Sequence, residues 1–277
     1  MTDKYAVFGN PIKHSKSPHI HMTFAEETGE DIHYRSHKVE PDKFVDAAHS
    51  FFNNGGKGLN ITLPFKTDAF NFADILSDRA TRAGAVNTLA IQDDGSIYGD
   101  NTDGIGLVRD ICDNLGWQIE GKRLLILGAG GAVRGILKPI IKQKPASLVI
   151  ANRTVAKAEA LADSYADLLS MDACGFDALE GSKFDLIING TSSGLTGDLP
   201  HLPSGLLADD GCCYDMVYGS EPTVFMRWGA ENMAWALADG LGMLVEQAAE
   251  SFCIWRGKRP STRPIIDALR AELEANL

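Results

Sequence analysis

The sequence predicts an α/β protein of two domains, on three observations. Along 277 residues, short apolar runs alternate with stretches whose apolar residues recur at helical spacing. One run empties directly into glycines and then into a helix-like stretch, LLILGAGGAVRG, from Leu124 to Gly135. The length, at 44% hydrophobic residues, also exceeds what a single domain built on such a glycine turn needs. The expected architecture is an N-terminal α/β domain with a mostly parallel sheet over residues 1–103, followed by a doubly wound, Rossmann-like domain over 104–239. C-terminal helices over 240–277 are expected to return to the first domain.

In the first part, the strand-like runs YAVFG, IHYRSHKV, GLNITL, AVNTLAI and SIYG alternate with helical stretches near 17–28, 41–53 and 65–76. Asp94 and Gly95 lie between two of these runs and predict a hairpin, which adds an antiparallel element to the sheet. DGIGLVRDICDNLGW has helical spacing and carries the chain into the second part. There, RLLIL, SLVIA, LLSM, DLIING, GCCYDMV and AWALA read as strands, with helices between several of them, as in TVAKAEALADSYA. Pro139 should kink or shorten the helix after the glycines. From Gly240 onward, Leu241, Leu244, Val245, Ala248, Phe252 and Trp255 form one helical stripe that needs another surface to cover it.

Composition excludes several classes. A net charge of −11 and a pI near 5.1 argue against nucleic acid or an anionic membrane surface as partner, so anionic ligands must be held by a few local cations. The longest apolar stretches fall far short of the ~20 residues that span a bilayer. MTDKYAVFGN lacks the charged start and apolar core of a secretion signal, so a soluble, cytoplasmic protein is expected. Cys112, Cys174, Cys212, Cys213 and Cys253 are odd in number and contain no CxxC pair, which suggests neither a disulfide framework nor a zinc site. His14, His19 and His21 cluster, but no HExxH motif or acidic cluster supports a metal, and none is expected.

The glycine turn reads as a phosphate-binding turn. Gly128 and Gly130 let the backbone turn tightly and approach a pyrophosphate, held by free N–H groups and the positive end of the next helix; the third glycine of the usual pattern is Val133. About 24 residues on, the second apolar run ends in Asn152, Arg153 and Thr154, where NAD enzymes carry a carboxylate for the ribose hydroxyl. An arginine there pairs with a ribose 2′-phosphate, so the site reads as one for NADP. The competing reading is a tight βα turn with a merely solvated arginine.

Three further segments carry candidate chemistry. In GNPIKHSKSPHIH, Ser15 and Ser17 precede Pro18 at a predicted helix start; they are either plain caps or donors to a small carboxylate or polyol. In GLNITLPFK, Lys66 follows the carboxyl end of a strand, where α/β folds place ligands. In GDNTDG, Asp103 follows another strand and opens a helix. A cap and a solvated ammonium explain each of these alone; together they suggest an acid/base pair, with Asn87 a neutral donor and acceptor nearby.

HSKSP, GLNITLPFK, GAVNT, NTDG, GAGGA, NRT, YDMVY and GMLVEQA stand in the order seen in shikimate dehydrogenases, which the chain resembles over almost its whole length. The resemblance implies NADP-dependent interconversion of shikimate and 3-dehydroshikimate, in the pathway of chorismate and aromatic amino acid biosynthesis, at a site between the two domains. It assigns substrate contacts to Ser15, Ser17, Asn60, Thr62, Lys66, Asn87, Asp103, Tyr218 and Gln247, with Lys66 and Asp103 catalytic. Cofactor contacts fall on Gly128, Ala129, Gly130, Gly131, Ala132, Asn152, Arg153, Thr154, Lys157, Thr191, Met216 and Gly240. A monomer or homodimer is implied. Two departures are Met22, where an amide is frequent, and Lys157, where a second arginine is frequent; lysine keeps the charge but loses the planar fork. In the reduction, Lys66 would protonate the forming alkoxide and Asp103 would orient it, and whether Asp103 shares the proton stays open. The rival readings are an NAD-using quinate/shikimate dehydrogenase, a methylenetetrahydrofolate dehydrogenase and a non-catalytic NADP sensor. The NRT turn opposes the first, the serine-rich opening with NTDG the second, and the retention of both Lys66 and Asp103 the third.

Overall fold

The structure, a computed structural model, describes residues 2–191 and 199–275. The chain divides into two compact units, Met1–Gly106 with Leu244–Ile266 and Leu107–Met243 with Asp267–Leu277.

The first unit is built on strands β1 (Asp3–Gly9), β2 (Ile32–Lys38), β3 (Gly56–Ile61), β4 (Ile75–Leu76), β5 (Thr88–Ile91) and β6 (Ile97–Asp100). They form one sheet in the order β2-β1-β3-β5-β6-β4. β5 alone runs against its neighbours, pairing antiparallel with both β3 and β6 through the hairpin expected at Asp94 and Gly95. Helices α1 (Ser17–Thr28), α2 (Phe44–Asn53), α3 (Lys66–Phe72) and α4 (Asp78–Ala83) connect the strands, and Asp103 starts α5 (Asp103–Arg109). α2 repeats Phe44, Ala48 and Phe52 at four-residue spacing, and this stripe joins Phe8, Leu59, Ile61 and Phe65 in one core.

The helix expected over 65–76 ends at Phe72. Asp74 leaves it to pair with the edge of β6, its N–H donating to the Ile97 carbonyl at 2.8 Å while its carboxylate accepts from the Ile97 N–H at 2.8 Å. α4 was not among the expected helices, although Ser77 caps it through the Ala80 N–H and Gly84 ends it at φ +61°.

In the second unit, β7 (Arg123–Leu127), β8 (Ser147–Ala151), β9 (Asp172–Cys174), β10 (Phe184–Asn189), β11 (Leu207–Asp215) and β12 (Ala236–Ala238) form an all-parallel sheet. Its order, β12-β11-β10-β7-β8-β9, is the 3-2-1-4-5-6 arrangement of dinucleotide-binding sheets. Leu124 and Ile126 face one core while Leu125 and Leu127 face another, which is why this strand reads as an uninterrupted apolar run. α6 (Gly131–Lys142), α7 (Val155–Asp163) and α8 (Val224–Glu231) belong to this unit.

α6 continues through Pro139 to Lys142, so the proline does not shorten it. The strand expected at 168–171 begins instead at Asp172, because Leu168 and Leu169 close a turn onto the Tyr165 carbonyl. The last two helices are α9 (Leu241–Arg256) and α10 (Arg263–Ala275). The sequence assigned all of 240–277 to the first domain; by contacts, 244–266 group with the first unit and 267–277 with the second. Two bonds to second-unit atoms anchor the latter stretch, from Arg270 to the Gly219 carbonyl at 3.1 Å and to the Asp239 carboxylate at 2.5 Å.

Candidate active site

In the first unit, sheet topology gathers the candidates at one end. Because β5 is antiparallel, its first residue, Thr88, pairs with Asn60 near the end of β3 and with Asp100 at the end of β6. Asn60, Thr62, Lys66, Asn87 and Asp103 therefore leave the same edge of the sheet. The Lys66 Nζ donates to Asp103 Oδ2 at 2.5 Å, with the lysine side chain 29% and the aspartate 12% exposed. Asp103 Oδ1 accepts from Asn87 Nδ2 at 2.8 Å. The carboxylate is thus held on both oxygens, a charge-assisted arrangement that fixes the direction of the ammonium. Gln247, on α9, accepts from Asn87 Nδ2 at 3.2 Å and donates to the Leu244 carbonyl at 2.8 Å.

Ser15 and Ser17 are half-buried at the start of α1. The helix cap position is Lys16, no side chain caps the helix, and Ser15 Oγ accepts from the Ser17 N–H at 3.3 Å. Ser17 is itself the first helical residue, so its hydroxyl is not spent as a cap. Thr62 is half-buried, and its methyl group would lie 2.4 Å from any Cβ at Gly9, so the bare backbone of residue 9 seats it.

Several side chains beyond the candidates legible in the sequence complete this cluster. Asn60 accepts from the Tyr34 hydroxyl at 2.7 Å and donates to Ser251 Oγ at 3.0 Å. Thr88 and Thr102 both contact Asn87, and Asp100 is clamped by Arg79 at 2.8 and 2.7 Å. A hydroxyl or amide inside an apolar strand or helix carries no motif, so sequence reading has no signal for it. His21 is fully buried and stacked on Tyr34 with ring centroids 4.4 Å apart, and among the described residues neither of its ring nitrogens has a hydrogen-bond partner. Burial pushes its imidazole down to about 3. Among the described residues no group of three or more His, Cys, Asp or Glu is placed to hold a metal.

In the second unit, the glycine turn joins β7 to α6 beside β10, where the strand order reverses. Gly128 has φ +104°, and a Cβ there would come within 3.0 Å of the Gly190 carbonyl. A Cβ at Gly130 or Gly131 would meet nothing within 4 Å, and Gly130, Gly131 and Ala132 are exposed, whereas Ala129 is half-buried. Among the described residues no side chain caps α6, which leaves its first N–H groups available as an anion seat. Val133 takes the place of the third glycine and is fully buried; the accommodation is at Gly190, where a Cβ would lie 2.4 Å from the valine methyl.

Asn152, Arg153 and Thr154 follow β8, and Asn152 braces the turn by donating to the Thr154 carbonyl at 2.9 Å. Arg153 and Lys157 are exposed, and among the described residues neither side chain has a polar partner. This donor set fits a dinucleotide carrying an additional phosphate.

Thr191 donates to Asn189 at 2.8 Å, and Asn189 donates to the buried Asp215 at 3.0 Å. Asp215 also accepts from Thr223 at 2.6 Å and from the Val217 N–H at 3.1 Å, which ties down the loop carrying Met216 and Tyr218. Burial pushes the Asp215 carboxyl up. A Cβ at Gly240 would lie 2.3 Å from the Met216 carbonyl, so this loop and the start of α9 meet through bare backbone. Tyr218 belongs to this second unit.

Three family models match the chain: the shikimate dehydrogenase substrate binding domain at residues 7–89, shikimate/quinate 5-dehydrogenase at 109–196, and the shikimate 5′-dehydrogenase C-terminal domain at 240–270. The chain belongs to the shikimate dehydrogenase family. It is 59% identical over 273 residues to the shikimate dehydrogenase (NADP(+)) of Cellvibrio japonicus, covering 99% of each chain. Among solved structures it is similar to an Ael1 enzyme from Pseudomonas putida, with a TM-score of 0.92 and 48% identity over 97% of this chain and 98% of that one. It is also similar to the Thermus thermophilus shikimate 5-dehydrogenase in complex with NADP(H) and shikimate, with a TM-score of 0.86 and 30% identity over 98% and 99%. Family membership makes the protein an oxidoreductase, and no helix among the described residues is long and apolar enough to cross a membrane.

Proposed function

We propose that the protein interconverts shikimate and 3-dehydroshikimate with NADP, with Lys66 as proton donor and acceptor and Asp103 as its partner. The observation that carries this reading is the 2.5 Å contact between Lys66 Nζ and Asp103 Oδ2, largely shielded from water, with the second carboxylate oxygen held by Asn87. Reduction of a ketone leaves charge on its oxygen, and an ammonium aimed at that oxygen neutralises it and supplies the proton. Lys66 does this in reduction and takes the proton back in oxidation. Asp103 fixes the amine and accepts a hydrogen bond from a substrate hydroxyl.

Ser15 and Ser17 donate to the substrate carboxylate, helped by the N-terminus of α1. Asn60, Thr62, Asn87 and Gln247 receive the ring hydroxyls. When bound, NADPH supplies the hydride. Its pyrophosphate is held at Gly128, Ala129, Gly130, Gly131 and Ala132, and its 2′-phosphate by Arg153 with Lys157. Asn152 and Thr154 shape that turn, while Thr191, Met216 and Gly240 line the rest of the cofactor's seat. Such an enzyme serves the cytoplasmic route to chorismate and the aromatic amino acids.

Incubating the purified protein with shikimate or quinate, each with NADP or NAD, tests this. Shikimate with NADP should give the fastest nicotinamide reduction. Faster reduction with quinate or NAD, or none in any mixture, would overturn it.

A further inference from the structure

The directions of the buried hydrogen bonds follow from which groups can only accept. Asn60 Nδ2 lies 3.3 Å from the Asn87 carbonyl, which only accepts, so its amide nitrogen faces that way and its oxygen must accept from Tyr34. Asn87 Nδ2 faces the Asp103 carboxylate and the Thr102 hydroxyl, and its oxygen accepts from the Thr102 N–H at 2.9 Å. Thr88, 2.9 Å from that same oxygen, therefore donates to it. The single Thr88 proton being spent on Asn87, the 2.7 Å contact between the two hydroxyls needs the Ser251 proton, and this shorter contact takes it ahead of the Gln247 carbonyl, which lies 3.1 Å from the same hydroxyl. Ser251 in turn accepts from Asn60 Nδ2 at 3.0 Å. Tyr34, Asn60, Ser251, Thr88 and Asn87 thus donate one to the next, all in one direction, and the run terminates on Asp103.

We propose that Tyr34, Ser251 and Thr88 are positioning residues of the reaction: this one-way run of hydrogen bonds holds the Asp103 carboxylate in line with the Lys66 ammonium. Donors in series polarise one another in a low-dielectric interior, so the final N–H at Asp103 is strengthened by those behind it. Thr88 and Ser251 are fully buried, so water does not replace a broken link. The inference rests on the roles given above to Lys66 and Asp103, and the wild-type assay separates the two. A wild type inactive with shikimate removes that reading and this inference with it, whereas an active wild type indifferent to the substitutions below removes only the inference.

The experiment compares kcat and KM for shikimate with NADP, and the thermal midpoint, in Thr88→Val, Thr88→Ser, Ser251→Ala and the Thr88→Val/Ser251→Ala pair. Val keeps the shape of Thr88 and deletes the hydroxyl, whereas Ser keeps the hydroxyl and deletes a methyl. Thr88→Val and Ser251→Ala should each lower kcat about three- to tenfold, the worth of one hydrogen bond. Thr88→Ser should stay near wild type even where its midpoint falls, and the pair should be no slower than its slower member, because both break one chain. Wild-type turnover in Thr88→Val, equal slowing in Thr88→Ser, kcat that simply follows the midpoint, or losses that multiply in the pair would each overturn the proposal. Should Thr88→Val fail to fold, Ser251→Ala alone decides, since it removes one oxygen from a helix.

Discussion

Lys66 and Asp103 stand 37 residues apart in the chain and meet because each follows the last residues of a strand at the same edge of one sheet. That placement was legible beforehand: a charged residue just past an apolar run has a position fixed by topology. What the sequence could not reveal is how fully Asn87 is engaged, since it touches Thr88, Thr102, Asp103 and Gln247 at once. His21 was equally opaque, and it yields a pH prediction. Its ordinary value is about 6.5, and burial takes it to about 3. As pH falls through this window the unfolded chain binds a proton that the folded chain refuses, so stability is lost by about 1.4 kcal/mol per pH unit. His21→Phe keeps an aromatic ring against Tyr34 and should remove this loss. Urea unfolding at pH 7 and pH 4.5 should show the wild type losing about 2.5 kcal/mol more than the variant. Parallel losses would show that the imidazole charges freely in the folded protein.

Among the elements, the β7–α6 turn and the end of β8 carried the clearest sequence signal, because glycine and arginine at a strand end have few structural equivalents. The missing third glycine is resolved by Gly190, at the end of a different strand, where the absent side chain makes room for Val133. No local pattern ties positions so far apart. Gly190→Ala should crowd the first turn of α6, cost about 1–3 kcal/mol of stability and weaken NADP binding; unchanged affinity and midpoint in titration and melting would refute the packing argument. Arg153→Ala should cost about 1.5–3 kcal/mol of NADP affinity and leave NAD untouched, by fluorescence titration. Equal losses for both nucleotides would remove the 2′-phosphate from this site. Element boundaries were less legible than element types: α3 ended early and β9 began late because hydrogen bonds to Ile97 and Tyr165 overrode local periodicity.

For the molecule as a whole, the α/β class, the mixed first sheet and the all-parallel second sheet were all readable from alternating apolar runs and one hairpin signal. The grouping of residues 267–277 was not, because amphipathic spacing in α10 says that a face is covered but not by which residues. The two candidate sites belong to different units, so ligands should protect different amides in hydrogen exchange. NADP should slow exchange around 128–134, and shikimate around 60–66 and 100–103. Protection of one region by both ligands alike would contradict this assignment. With a net charge of −11, the protein has few cations to spare for anionic ligands, and one of them, Lys66, is proposed to carry the chemistry itself. The most direct measurement is therefore the turnover of Lys66→Ala with 3-dehydroshikimate and NADPH at saturation, beside its affinity for shikimate. A fall in kcat of about 10²- to 10⁴-fold with affinity changed only modestly is the predicted result. A variant that turns over at the wild-type rate would contradict it.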